Sequence, residues 1–162
     1  MPETPTAEAE WHQFTHDLAL CLRDLDEDEY LVISHKRADY YVQFAAQGRF
    51  GMRAEAACNL YIEPPDARLT VQDYDLMTKL GWHRAADLPP NVAAAGRSPD
   101  GAPNFFVDYP DPVDFEGLAA MATVTFRDVY KLYHPGQLEY KAFGRDGTTI
   151  RFPTLRIKRA VN

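Results

Sequence analysis

The strongest constraint on this chain is the strict alternation between Gly51 and Ile62. Met52, Ala54, Ala56, Cys58, Leu60 and Ile62 fall on one side, and Arg53, Glu55, Asn59 and Tyr61 on the other. A period of two matches only a β-strand with one face buried. Two shorter runs precede it. Tyr30 to His35 is rich in β-branched and aromatic residues, and Tyr40 to Ala46 sets Tyr40, Val42, Phe44 and Ala46 on one face. The connections Lys36–Asp39 and Gln47–Phe50 are short enough for hairpins, with Gly48 and Gly51 suited to the second turn. Segment 30–62 therefore reads as a three-stranded antiparallel meander that needs a second layer to cover its apolar face.

Helices supply that layer. Trp11, Phe14, Leu18, Leu22 and Leu25 recur at three- and four-residue steps, which predicts a helix over about Thr6–Leu25 with Thr6 as its cap. The acidic run Asp24–Glu29 then reads as an exposed loop without the spacing of a calcium site. Glu63-Pro64-Pro65-Asp66 stops the sheet, because proline has no donor for a ladder. A second helix is expected from Thr70, with Asp73 three residues on, the apolar stripe Val71, Tyr74, Met77 and Leu80, and a stop at Gly81. Residues 83–103 read as a long loop, and Asn104–Tyr109 as a fourth strand. A third helix is expected with Asp111 as cap, Pro112 in its first turn and the stripe Phe115, Leu118, Ala122, Phe126, Val129 and Tyr133. Leu138–Phe143, a turn at Gly144–Gly147 and Thr148–Ile157 close the chain as a hairpin, with Pro153 placing part of the last strand at an edge. The fold class is α+β, an antiparallel sheet with helices packed on it, in the order α-β-β-β-α-β-α-β(-β). Residues 1–143 form the main domain, and 144–162 are a basic hairpin or extension of it.

The net charge of −7 argues against general nucleic-acid binding, which needs a basic footprint. Its distribution is uneven. Residues 1–30 carry nine acids against Arg23, whereas residues 141–162 carry six bases against Asp146. Such an asymmetry can steer an acidic partner to the C-terminal end. No apolar run approaches the roughly 18 residues of a membrane span. Met-Pro-Glu-Thr-Pro lacks the basic and apolar regions of a secretory signal, so a cytoplasmic location is expected. Cys21 and Cys58 read as reduced packing residues.

Chemistry-bearing constellations are sparse. His12 and His16 share a helix face but lack a third ligand at a metal-binding spacing. His35, His83 and His134 are isolated in sequence, and Gly48-x-x-Gly51 and Gly144-x-x-Gly147 are turn patterns that open no helix. The reading is a non-enzyme with no catalytic residue, metal or cofactor. Aromatics opposite the core faces, Tyr41, Tyr61 and Phe106, instead suggest a second layer, a dimer interface or a groove for an extended peptide.

Local words sharpen the element order. Tyr40-Tyr41-Val42-Gln43-Phe44 lies in the second strand and Asn59-Leu60-Tyr61 closes the third. Leu69-Thr70 opens the second helix and Leu80-Gly81-Trp82 ends it. Asn104-Phe105 opens the fourth strand, and Pro135-Gly136-Gln137-Leu138-Glu139-Tyr140 follows the last helix. Together these resemble the actinobacterial TY-Chap domains, relatives of the CesT-like and YbjN-like proteins with the type III secretion chaperone fold. The resemblance covers about residues 6–143. It implies a peptide- or protein-binding chaperone-like domain, often a homodimer, that holds a client polypeptide. A dimeric scaffold with one fixed partner and no chaperone activity is the alternative. A client could add to a strand edge or lie across the open sheet face. The candidate partner-binding residues are Tyr41, Gln43, Arg53, Asn59, Tyr61 and Phe106.

Overall fold

A computed structural model describes residues 6–84 and 104–160. Helix α1 runs from Ala7 to Asp24 and is followed by strands β1 (Tyr30–His35), β2 (Tyr41–Ala46) and β3 (Met52–Ala56). Helix α2 (Val71–Leu80), strand β4 (Phe105–Tyr109) and helix α3 (Phe115–Val124) come next, with α3 extended by a π-helical turn over Thr125–Val129. Strands β5 (Leu138–Phe143), β6 (Thr149–Ile150) and β7 (Lys158–Arg159) complete the chain. Among the described residues the strands form one sheet in the order β4-β3-β2-β1-β5-β6, antiparallel throughout except for β7, which pairs parallel to β5. The architecture is α+β, with an antiparallel sheet and three helices, as the element order predicts.

Alternation decides the layers. Leu31, Ile33, Val42, Phe44, Ala54 and Ala56 all point to one face and are buried there with the apolar stripe of α1. Thr6 caps α1 by accepting from the Ala9 amide at 3.1 Å. Hydroxyls of Thr15 and Thr123 meet at 2.6 Å where α1 crosses α3. Thr70 and Asp73 form a complete capping box on α2. Gly51, at φ +93°, closes the β2–β3 hairpin. A Cβ there would meet the Tyr109 carbonyl oxygen, so glycine is required by both conformation and space. Cys21 and Cys58 are buried and form no disulfide, and burial pushes the Cys21 thiol up to about 11.

Several boundaries differ from the sequence expectations. The ladder of β3 ends at Ala56 rather than Ile62, because β2 begins at Tyr41 and offers no partner beyond it. The Ala57 amide makes the last cross-strand bond, to the Tyr41 carbonyl, and Asn59–Tyr61 then turns as a 3-10 helix. On α2, Tyr74 and Met77 are buried as the stripe predicts, but Val71 is exposed and Asp73 is buried. Helix α3 starts after Asp114, not Asp111, with the Asp114 carboxylate accepting from the Gly117 amide at 3.0 Å. The π turn, in which the Tyr130 amide reaches the Thr125 carbonyl, adds a residue to the last turn. It buries Tyr130 and leaves Tyr133, expected on the stripe, 77% exposed. The expected last strand Thr148–Ile157 is broken by the Pro153–Leu155 turn, and Arg156 at φ +61° redirects the chain into β7. Of the expected 83–103 loop, residues 85–103 lie outside the described residues. His83 bridges to Phe106 through two backbone bonds.

Candidate functional site

All three helices cover one side of the sheet, and the residues of opposite phase form the other. Over β2, β3 and β4 these outward side chains pair across strands. The Tyr41 hydroxyl and the buried Asn104 amide bond each other at 3.0 and 3.2 Å. Burial pushes the Tyr41 phenol up to about 12, against the opposing pull of the Asn104 hydrogen bond. Gln43 donates to Glu55 at 3.1 Å. Arg53 grips Asp108 through two bonds of 2.8 Å, and that guanidinium, outweighing burial, holds the Asp108 carboxyl below its ordinary value. The Arg53 guanidinium also lies 4.9 Å from the Phe106 ring centre, with the His83 ring 4.9 Å away.

Four of the six candidate residues, Tyr41, Gln43, Arg53 and Phe106, therefore share this outward face. Phe106 is only 5% exposed beneath Arg53 and His83, so it supports the face from below. Asn59 and Tyr61 lie off the sheet, on the 3-10 turn after β3. The Asn59 side chain clamps the Leu69 backbone, donating to its carbonyl at 2.9 Å and accepting from its amide at 2.7 Å. Its own amide donates to the Tyr74 hydroxyl at 3.1 Å. Tyr61 stands exposed beside it.

The face changes character toward β1 and β5. Tyr30 lies between Ala45 of β2 and Phe143 of β5, and Val32 lies between Gln43 and Lys141. Tyr30 and Phe143 stack with ring centres 5.3 Å apart. Together with Val32 and Ala45 they line a cavity of about 140 Å³, rimmed by Gln43, Arg53 and Glu55. Tyr30, Val32 and Phe143 were absent from the candidate set. Their signal was present in the alternation of β1 and β5, since Leu31 and Ile33 inward require Tyr30 and Val32 outward. The adjacency of β1 to β5, which joins them, is a tertiary fact.

No group of three or more His, Cys, Asp or Glu side chains among the described residues could hold a metal ion. His12 and His16 are exposed on α1. His35 accepts the Arg37 amide at 2.9 Å and His134 accepts the Gly136 amide at 2.8 Å, so both serve local turns. Burial, aided by the Arg37 charge, pushes the His35 imidazole down. No helix of the described residues is long and apolar enough to cross a membrane.

A family model described as TY-Chap3, "T3SS (YopN, CesT) and YbjN peptide-binding chaperone 3", matches residues 4–144. The three helices and antiparallel sheet agree with a type III secretion chaperone-like fold. No curated protein and no solved structure matches the chain. The family match spans most of the sequence, from α1 to the end of β5, and the chain belongs to the TY-Chap3 family of peptide-binding chaperone domains.

Proposed function

We propose that this protein holds an extended segment of a client polypeptide against the uncovered face of its sheet, keeping it unaggregated in the cytoplasm. The observation that carries this reading is the cavity formed by Tyr30, Val32, Ala45 and Phe143 on a face that none of the described helices covers. Aromatic and aliphatic side chains there offer contact area without sequence-specific chemistry, which suits a holder rather than an enzyme. Gln43 and Arg53 rim the cavity, Tyr41 extends the face toward β4, and Tyr61 contributes an exposed ring beyond the end of β3. Asn59 and Phe106 act as supports for these contacts.

Strand addition is the other mode open to a client: β5 is flanked by β6 and β7, and β4 bonds His83 only at Phe106 among the described residues. A dimeric scaffold is the second reading, because the same apolar patch would suit a second copy.

The test measures fluorescence polarisation of labelled extended apolar peptides with wild-type protein and the Tyr30→Ser/Val32→Ser double variant. Peptide binding that falls roughly tenfold or more in a folded variant supports the reading, as expected for loss of two apolar contacts. Undiminished binding by the folded variant removes the sheet face as the site. A dimer in light scattering that the variant dissociates, with no peptide bound by either form, supports the scaffold instead.

A further inference from the structure

Beside the cavity, the far edge of the sheet gathers four cations from the C-terminal part of the chain. Strand β7 pairs with Glu139 and Tyr140 of β5, whereas β6 pairs with Ala142 and Phe143. Lys141 lies between the two short partners. Lys141, Thr149 and Arg159 line a notch of about 180 Å³ there, and Phe143 borders both this notch and the cavity. Lys158 stands opposite Glu139 in the β5–β7 register, and exposed Arg151 follows β6.

Of the twelve other described Lys and Arg residues, six, among them Arg53, Arg127 and Arg156, have a carboxylate within 3.6 Å, and six, among them Arg23, Lys36 and Lys79, have none within 4 Å. Among the described residues Lys141, Arg151, Lys158 and Arg159 have no carboxylate within 4 Å, although the chain carries a net charge of −7. Glu139 is the nearest acid on this part of the face by register. Asp146 is occupied with the Thr148 amide, and Asp28 lies 3.5 Å from Arg145. Leaving four cations unpaired at one edge of an acidic protein costs little in water but favours an anionic partner.

We propose that the client segment is apolar and acidic, with a bulky apolar side chain seated in the Tyr30/Val32/Phe143 cavity and a carboxylate from the same strand seated at the sheet edge beside Lys141 and Lys158. This deepens the peptide-holding function and rests on it. From β1 across β5 to β7 is two strand spacings, about 10 Å, which an extended chain covers in about three residues. The recognised pattern is therefore an aspartate or glutamate two to four positions from a large apolar residue.

The probes are peptides of about nine residues, roughly 30 Å extended, with identical apolar positions and Glu, Gln or Lys at the flanking position. Each is titrated by fluorescence polarisation against wild-type protein and the Lys141→Glu/Lys158→Glu variant, at low and moderate salt, after a melting curve shows the variant folded. Both lysines are exposed, so the exchange leaves the core intact. The expected result is a preference for the Glu peptide over the Lys peptide of roughly tenfold at low salt, which salt weakens and the variant inverts. Equal binding of all three peptides overturns the charge preference and leaves peptide holding in place. No binding of any peptide defeats both. Salt-sensitive self-association lost in the variant, without peptide preference, overturns the proposal in favour of a second copy, whose acidic Asp24–Glu29 loop would be the occupant.

Discussion

The two faces of this sheet are built from the same strands and differ in how their side chains are satisfied. Beneath the helices, Leu31, Ile33, Val42 and Phe44 are essentially inaccessible, and stability comes from removing them from water. On the other face the neighbours of those same residues are half-buried, and they satisfy one another locally. Arg53 grips Asp108, Gln43 bonds Glu55, and Tyr41 bonds Asn104. These bonds use up the polar groups over β2–β4, whereas the β1–β5 end presents rings, a valine and unpaired lysines. The lesson is that an uncovered face is not uniform. One end is closed by its own hydrogen bonds, and the other leaves its side chains without such partners.

The contrast between the faces is sharpest in substitutions on adjacent residues. Phe44→Ala should cost about 3–5 kcal/mol, because it leaves a large cavity between sheet and helices. Chemical denaturation is the measurement, and a cost below about 1 kcal/mol would break the distinction between covered and uncovered faces. Tyr130→Phe comes next. The buried hydroxyl donates to the Ala57 carbonyl at 2.8 Å, at the point where β3 leaves the ladder. Losing that donor should cost about 1–2 kcal/mol.

Thr70→Ala removes half of the α2 capping box and should cost about 1 kcal/mol, read in the same denaturation series. The smallest effect belongs to the outward face. Arg53→Ala should lower stability by less than about 1 kcal/mol at neutral pH, since the pair with Asp108 is part-exposed. Because Arg53 depresses the folded Asp108 carboxyl, the pair's contribution is fully present above the ordinary aspartate value of about 3.9. It is lost as pH falls through the lower folded value. Wild type and variant should therefore converge in acid, and a stability gap that widens there would show that Arg53 acts through packing on Phe106 instead.

How much was legible in the sequence follows from which signals are local. The strand β1 was found to the residue because both of its ends are marked by turns. The length of β3 was overestimated because alternation continues through Cys58, Leu60 and Ile62, whereas a ladder needs a partner strand and β2 begins only at Tyr41. Asn59, read as an outward strand residue, uses its side chain to bond the Leu69 backbone, a local competition that hydropathy cannot register. Tyr133 was assigned to the core by a regular 3.6-residue count, and the π turn at Thr125–Val129 broke that count.

By itself, the sequence determined the element order, the α+β class, the inward phase of the strands, the capping box of α2 and the charge asymmetry between the chain ends. Each is written in neighbouring residues, through periodicity, capping and composition. Only the tertiary structure decided that all three helices cover the same face, that β1 lies between β2 and β5, and that β6 and β7 share the outer edge of β5. Those contacts join residues far apart in the chain. Their selection depends on burying the whole apolar surface at once, and no local pattern encodes it. For that reason the outward placement of Tyr41, Gln43 and Arg53 could be read in advance, and the cavity of Tyr30, Val32 and Phe143 beside Lys141 could not.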